Sequence, residues 1–137
     1  SISQAIIYCN EISKVEFVTR ELLRENFTVS KFHAHMRNEE RKEIMESFRN
    51  GDTRVLVTTD LLARGIDVQQ VSLVINYDFP MDSENYLHRI GRSGRYGRKG
   101  VAINFTTNAI EDIDRVKKVE EIYKIKLEDL PADLDSL

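Results

Sequence analysis

The sequence predicts an α/β domain in which helices cover both faces of a doubly wound parallel β-sheet. Two features of the chain lead to this fold class. Short apolar runs of strand length alternate with amphipathic segments of helix length, which is the order of elements in βαβ units. Several of the short runs are apolar throughout, as in strands that are covered on both faces. The chain of 137 residues is long enough for one core, so we expect a single domain over residues 1–137.

Five runs rich in β-branched and aromatic residues are the predicted strands. None of them approaches the length of a membrane-spanning helix, and the chain does not open with a charged, apolar and cleavable leader. The sequence therefore predicts a soluble protein. In chain order, the predicted strands are AIIYC (5–9), VSKFH (29–33), VLVTT (55–59), VSLVI (71–75) and VAINF (101–105).

Three of the four predicted helices are indicated by apolar residues that recur at helical spacing. They are residues 11–25 with Val15, Val18 and Leu22, residues 37–50 with Ile44, Met45 and Phe48, and residues 108–124 with Ile110, Ile113, Val116 and Ile122. The pair Asn50-Gly51 supplies a left-handed stop to the second of these helices.

The fourth helix is predicted near residues 82–91 from its polar start. It opens with Asp82, Ser83 and Glu84, which suit the positive end of a helix dipole. In the helix over residues 108–124, opposite charges spaced four residues apart predict the ion pairs Glu111–Arg115 and Asp114–Lys118.

Positive charge is concentrated in one short segment of an otherwise acidic chain. The net charge is −3, yet residues 88–100 carry five Lys and Arg residues and no Asp or Glu. Residues 1–87 carry 10 cationic against 14 acidic side chains, and residues 101–137 carry 5 against 9. A basic patch confined to one place indicates a local anion site rather than a generally basic surface.

The single cysteine, Cys9, rules out an internal disulfide and a Cys-rich zinc module, which fits a reducing compartment. Cys9 lies in an apolar run and is interpreted as a small core residue. His33 and His35 lack a third metal ligand nearby, so we interpret them as a strand-end histidine and a surface histidine. We expect no metal site in this chain.

The segment HRIGRSGRYGRKG (88–100) is the first candidate site. Arginines recur at every third position, and glycines occupy positions between them at the same interval. Glycine lets the backbone bend and approach a ligand closely, and the guanidinium fork fits phosphate oxygens two at a time. A solvated basic turn is the alternative. The arginines are Arg89, Arg92, Arg95 and Arg98. Their regular spacing and the expected place at the mouth of a parallel sheet favour a phosphate site in this segment.

The segment TTDLLARGID (58–67) directly follows the third predicted strand. Thr59 and Asp60 can project polar groups from the end of that strand, Gly65 allows close backbone approach, and Asp67 can accept hydrogen bonds from a sugar hydroxyl. A helix cap followed by a tight turn explains the same residues equally well.

A third candidate is RNEERKEIMESFR (37–49). Arg37 and Arg41 lie one helical turn apart there and could clamp a nucleic-acid backbone. An ordinary charged helix face is the alternative.

Taken together and in order, IIYCN, NEER, TTDLLARGID, VSLVINYD and HRIGRSGRYGRKG resemble the second RecA-like domain of the DEAD-box RNA helicases, in the group of translation initiation factor 4A and its nuclear relatives. The resemblance covers essentially the whole chain and implies a RecA-like fold. In that family ATP lies in a cleft between two RecA-like domains, and RNA crosses the face of both.

The resemblance also implies roles for individual residues. At the nucleotide, Arg92 and Arg95 are expected to meet the γ-phosphate, with Arg95 as the arginine finger. Gly65 and Asp67 are expected at the ribose and phosphates, and Tyr96 near the adenine. His88 is expected to couple the cleft to the partner domain. Those expected to hold the RNA sugar-phosphate backbone are Arg41, Thr59 and Asp60.

Two motifs that such an ATPase needs do not occur in the sequence. The chain has no GxxxxGK[ST] phosphate loop and no acidic DEAD-type tetrad. The resemblance therefore implies the second lobe of a longer ATP-dependent RNA helicase, inactive alone, with Mg²⁺ held by the missing N-terminal domain. The implied partners are that N-terminal RecA-like domain, RNA bound through its backbone, and a scaffold protein of translation or splicing complexes, in the cytoplasm or nucleus. The alternative function is a nucleotide-independent RNA- or protein-binding module that uses the basic loop.

Overall fold

The structure, a computed structural model, describes residues 4–60, 71–90 and 101–130. Five strands and four helices alternate within these ranges. In chain order they are β1 (Ala5–Cys9), α1 (Ile12–Arg24), β2 (Val29–Phe32), α2 (Asn38–Arg49), β3 (Val55–Thr59), β4 (Leu73–Asn76), α3 (Ser83–Ile90), β5 (Val101–Asn104) and α4 (Ile110–Tyr123).

The five strands form one parallel sheet in the order β2-β3-β1-β4-β5. Strand β1 lies at the centre, with β3 and β2 on one side and β4 and β5 on the other, so the chain is wound in both directions from the middle. The predicted α/β fold with a doubly wound parallel sheet is confirmed.

Strand β1 is buried on both faces, as its continuous apolar run predicted. Ile6 and Tyr8 pack in the cluster that contains Met45 and Phe48 of α2. The alternate residues Ile7 and Cys9 pack in a second cluster, together with Val15, Val18 and Val57. Successive side chains of a strand point to opposite faces, so this one strand joins the two halves of the core.

Strand β4 begins and ends later than its apolar run suggested. The backbone N–H groups of Ser72 and Leu73 both donate to the carbonyl of Gln4, at 3.2 and 3.4 Å, so the chain enters the sheet only at Leu73. The strand includes the polar Asn76, whose side-chain amide donates to Asn104 of β5 at 2.6 Å.

The predicted ends of two helices agree with the structure. Gly51 adopts a φ of +84° just after α2, which is the expected left-handed stop. At the start of α3, the Asp82 carboxylate accepts a hydrogen bond from the backbone N–H of Asn85 at 2.7 Å. None of the helices in the described ranges combines the length and apolar composition needed to cross a membrane.

The predicted apolar face of α4 is largely wrong. Ile110, Ile113 and Ile122 are 72%, 42% and 49% exposed, whereas Val119 is buried against Phe79 and Tyr86. A second set of residues, Val116, Val119 and Tyr123, has the same helical spacing and also packs in this aromatic cluster. Helix α4 has two sets of apolar residues at helical spacing, and the set that packs in the core is the one that contains Val119, not the predicted one.

The ion pair observed in α4 is not one of the two that were predicted. Arg115 pairs with Asp112 at 3.5 Å, three residues away, rather than with Glu111. Asp112 also accepts hydrogen bonds from the backbone N–H and hydroxyl of Thr107, at 2.8 and 3.0 Å. These contacts hold the Asp112 carboxylate at the start of the helix, within reach of Arg115.

Candidate functional site

The carboxyl ends of β1, β3 and β4 meet at one edge of the sheet because the strands are parallel. Cys9 pairs with Thr59 across β1 and β3, and Tyr8 pairs with Asn76 across β1 and β4. Ligands of doubly wound sheets bind outside this edge. The chain therefore places polar residues from three strand ends where a ligand is expected.

The guanidinium of Arg89 connects these strand ends. Nε and Nη2 each donate to one carboxylate oxygen of Asp60, directly after β3. The bond from Nη2 is 2.6 Å long. Nη1 donates to Asn76 at 3.2 Å and to the carbonyl of Asp78 at 2.6 Å. Nη2 also donates to the side-chain oxygen of Asn10, just after β1. All five N–H donors that an arginine offers are thus used.

Arg89 is fully buried, with 0% exposure, and its guanidinium lies 5.4 Å from the centre of the Tyr8 ring. A buried charge is tolerated only when it is paired and fully hydrogen-bonded, and Asp60 supplies the opposite charge. The interpretation of Arg89 as part of a phosphate site is therefore wrong, because its guanidinium is consumed by internal contacts.

The same contacts join the parts of the chain that precede the two predicted nucleotide segments. Asp60 is the last described residue before residues 61–70, and Arg89 lies one residue before the end of the described range that precedes residues 91–100. One buried contact therefore joins the described residues that precede both segments. Most of the residues predicted at the nucleotide lie outside the described residues. They are Gly65, Asp67, Arg92, Arg95 and Tyr96, and Arg98 of the basic segment lies outside as well.

His88 is the predicted nucleotide-site residue that the structure does describe. It lies in the last turn of α3, next to Arg89, and its side chain is 22% exposed. Its Nε2 lies 4.0 Å from a carboxylate oxygen of Glu84, one turn earlier on the same helix. The anchored Arg89 thus holds His88 at the end of α3 that leads into residues 91–100.

The predicted RNA-binding residues lie at the same edge of the sheet. Thr59 is the last residue of β3 and is 8% exposed. Arg41 lies in the first turn of α2, which starts on the carboxyl side of β2, and it donates to the side-chain oxygen of Asn38. Asp60 is bound to Arg89 through both carboxylate oxygens. RNA contact by these three residues stays a prediction.

Sequence reasoning missed Asn10, Asn76, Asp78 and the internal role of Arg89. The backbone N–H of Asn10 donates to the Asp78 carboxylate at 2.8 Å, and its side-chain amide donates to the carbonyl of Phe79 at 3.1 Å. The available signal was a polar residue directly after an apolar run, once after β1 and once at the end of β4. Polar residues at strand ends deserve the same weight as a glycine-rich motif in this kind of sheet.

A second polar cluster lies at the carboxyl end of β2, around Glu16 of α1. Its carboxylate accepts hydrogen bonds from Nζ of Lys31 at 2.8 and 3.0 Å and lies 2.8 Å from Nε2 of His33. These hydrogen bonds, that of Lys31 foremost, lower the pKa of Glu16. His33 is buried at the end of β2 and His35 is exposed, as the interpretation of the two histidines required.

Cys9 is a core residue, as predicted. It is fully buried at the end of β1, and burial, assisted by the nearby Asp78, raises the pKa of its thiol to about 12. A thiol that stays protonated is not a nucleophile.

Comparison with known proteins agrees with this geometry. The family described as "Helicase conserved C-terminal domain" matches residues 1–97. ATP-dependent RNA helicase eIF4A of Scheffersomyces stipitis is 58% identical over 137 residues, which are 100% of this chain and 34% of that protein. Eukaryotic initiation factor 4A of Dictyostelium discoideum is 55% identical over 100% of this chain and 33% of its own length. The chain spans about a third of the length of these curated relatives.

Solved structures give the same result at the level of the fold. The C-terminal domain of the DEAD-box protein Dbp5 superposes with a TM-score of 0.84 at 36% identity, covering 98% of this chain and 79% of that domain. Dbp5 of S. cerevisiae bound to RNA and ADP BeF3 gives a TM-score of 0.86 at 35% identity, over 97% of this chain and 36% of that one. The chain belongs to the helicase conserved C-terminal domain family, as the C-terminal, RecA-like domain of a DEAD-box protein related to eIF4A.

Proposed function

We propose that this chain is the second lobe of an ATP-dependent RNA helicase, which supplies an arginine finger and part of the RNA-binding face. The observation that carries the proposal is the Arg89–Asp60 contact. It joins, at the carboxyl edge of the sheet, the parts of the chain that directly precede residues 61–70 and 91–100. Nucleotide-contacting groups must be held in a defined position before the partner lobe closes on them.

In the proposed mechanism, Arg92 and Arg95 approach the γ-phosphate of ATP bound to the N-terminal lobe. As the phosphoryl group leaves, negative charge spreads over its oxygens, and a fixed guanidinium stabilises that charge. Gly65 and Asp67 contact the ribose and phosphates, and Tyr96 lies near the adenine. His88, at the end of α3, transmits closure of the lobes to this segment.

Magnesium is proposed to be held by the N-terminal lobe. The described residues contain no group of three or more His, Cys, Asp or Glu side chains that could hold a metal ion. When bound, Mg²⁺ neutralises charge on the β- and γ-phosphates. This chain's own contribution is cationic and comes from its arginines.

The RNA backbone is proposed to cross the carboxyl edge at Arg41 and Thr59. Arg41 stands in the first turn of α2, where the helix dipole favours an anion. Thr59 adjoins Asp60, so a shift of the RNA-bearing strand end reaches Arg89 directly. Asp60 therefore acts as a positioning residue between RNA and nucleotide. The similar Dbp5 of S. cerevisiae is bound to RNA and ADP BeF3, which supports RNA and a nucleotide as the ligands of the proposed helicase.

The biological setting is proposed from the relatives. They are named as eIF4A and as eukaryotic initiation factor 4A, so we place the parent helicase in translation initiation in the cytoplasm, with a scaffold protein as a further partner.

The test is to join the chain through a flexible linker to the N-terminal RecA-like domain of one of these relatives. Wild type, Arg95→Ala and the exposed control Lys118→Ala are compared for RNA-stimulated ATP hydrolysis and RNA affinity. We expect Arg95→Ala to lose roughly 10³-fold or more in turnover and to retain RNA affinity, with the control unchanged.

The chain without the joined domain should not hydrolyse ATP. Equal RNA-stimulated hydrolysis by wild type and Arg95→Ala would show that the arginine finger is assigned wrongly. Turnover by the chain alone would contradict the two-lobe mechanism as a whole.

A further inference from the structure

A groove of about 630 Å³ lies between α1 and strand β2 and is not used by the proposed ATPase. Helix α1 leaves the carboxyl end of β1 and runs back along the sheet, so its second half lies toward the amino ends of the strands. The groove is therefore separated from the edge that carries Thr59 and Asp60. We call it the α1–β2 groove. It is lined by Glu16, Thr19, Arg20, Leu23, Arg24, Val29 and Lys31, so three cations face one carboxylate, which is bound to Lys31.

Strand β2 offers an open edge to this groove. It is the first strand in the sheet order, and within the described ranges it pairs only with β3. The outer edge of such a strand presents backbone N–H and C=O groups that can pair with another chain. Adding an extended peptide to an exposed edge is a common mode of protein recognition.

Thr19 carries the most specific signal for a ligand. Its side chain lines the groove and is 6% exposed, yet its hydroxyl has no hydrogen-bond partner among the described residues. Buried hydroxyls are normally paired, because leaving one unpaired is costly. The hydroxyl oxygen is itself buried, so a polar group of a bound partner would supply the missing hydrogen bond once the Thr19 side chain rotates toward the groove.

The charge of the groove selects an acidic partner. No described carboxylate pairs with Arg20, whose guanidinium lies 5.7 Å from the centre of the Phe17 ring. Arg24 binds Glu21 at 3.2 Å in an exposed ion pair, which contributes little and exchanges readily. Lys31 is held by Glu16. A carboxylate brought by a partner would meet Arg20 first and could recruit Arg24.

Apolar side chains complete the surface. Leu23 lines the groove and is 53% exposed. The ring of Phe17, which lies near Arg20, is 42% exposed, and Phe27, three residues after the end of α1, is 53% exposed. Exposed apolar groups next to the Arg20 guanidinium fit a peptide better than an RNA strand, whose sugar-phosphate backbone lacks the alternating N–H and C=O groups that pair along a strand edge. We propose that the α1–β2 groove binds an extended peptide of a partner protein in which acidic and apolar side chains alternate, added to β2 as an outer strand.

The alternation follows from the geometry of a strand. Successive side chains of an added strand point to opposite faces. One set would lie against Leu23 and Val29 on the α1 face, and the backbone between them would pair with β2. Acidic groups flanking this contact would reach Arg20 and Arg24. The peptide site and the RNA site are at different edges, so the chain can hold both at once.

The test begins with a phage library of random peptides, each about twelve residues long, which is roughly twice the length of an average strand. The library is selected on the wild-type chain. We expect enrichment of peptides that combine Asp or Glu with Leu, Ile or Phe. The binding of a fluorescein-labelled enriched peptide is then measured by anisotropy against three variants.

Arg20→Glu reverses the uncompensated charge, and we expect it to weaken peptide binding by about tenfold or more. Thr19→Val keeps the shape and removes only the unpaired hydroxyl, so we expect about fivefold weaker binding with no loss of thermal stability. Lys118→Glu is an equal charge reversal on the exposed surface of α4, and it should leave peptide binding unchanged.

Results of two kinds, from peptide binding and from RNA binding, would overturn the proposal. The first is no enrichment of acidic-apolar peptides on the wild-type chain, or equal binding of the enriched peptide to wild type and Arg20→Glu. The second comes from a labelled uridine oligomer measured with the same variants. If Arg20→Glu weakens RNA binding more than Lys118→Glu does and leaves peptide binding intact, the groove belongs to RNA.

Discussion

Arg89 positions three strand ends through a single side chain. Its guanidinium binds Asp60 after β3, Asn10 after β1, and Asn76 and Asp78 at the end of β4. A lysine could not reproduce these contacts, because an ammonium group has three donors and no planar fork. The cost of burying the charge is offset only while all of the partners are present.

Replacing Arg89 with methionine should therefore destabilise the fold strongly. Arg89→Met leaves the Asp60 carboxylate without its cation and the Asn10 and Asn76 amide oxygens without a donor. We expect the free energy of unfolding to fall by about 3–5 kcal/mol, the usual cost of removing one partner of a buried pair. Urea denaturation monitored by circular dichroism measures it.

The matched control is Arg24→Met, which removes the exposed ion pair with Glu21. An exposed pair contributes about 0–1 kcal/mol, so this variant should unfold close to wild type. If both substitutions cost the same, the Arg89 contacts do not hold the strand ends together.

At the scale of elements, the apolar pattern predicted each strand that the structure describes to within two residues. The reason is that strands buried on both faces must be apolar at nearly every position, as Ile6 and Ile7 are in β1. The pattern failed where it was ambiguous. In α4 two apolar stripes have helical spacing, and the choice between them depends on Phe79 and Tyr86, which come from another part of the chain.

A pair of substitutions in α4 distinguishes the two stripes. Val119 is 1% exposed and Ile113 is 42% exposed. Val119→Ala should cost about 2 kcal/mol of unfolding free energy, because it leaves a cavity in the aromatic cluster. Ile113→Ala should change it by less than about 1 kcal/mol, since alanine is also the better helix former. Thermal and urea unfolding of both variants would decide, and a larger loss at Ile113 would restore the stripe that the sequence indicated.

Over the whole molecule, the site could be predicted only in part. The basic segment and the TTDLLARGID segment were visible in the sequence, since glycine and arginine at regular spacing are unusual. The contact between Asp60 and Arg89 could not be predicted from the sequence, because these residues are 29 positions apart and meet only through the order of the strands in the sheet. Arg89 also shares the spacing of its neighbours in the basic segment, so the sequence alone could not reveal that it points inward.

The whole molecule also determines how RNA binding should respond to salt. The chain is acidic overall, with a net charge of −3, so attraction of RNA depends on local groups such as Arg41 and not on a general positive field. Each phosphate contact to single-stranded RNA contributes about −0.7 to the slope of log affinity against log salt concentration.

Arg41→Ala should therefore weaken binding and make this slope less negative by about 0.7. The effect should be the same for uridine and adenine oligomers, because backbone contacts carry no base information. Anisotropy titrations over a range of salt concentrations measure the slope, with Lys118→Ala as the exposed cation control. A slope unchanged by Arg41→Ala, or a loss confined to one base, would remove Arg41 from the RNA backbone site.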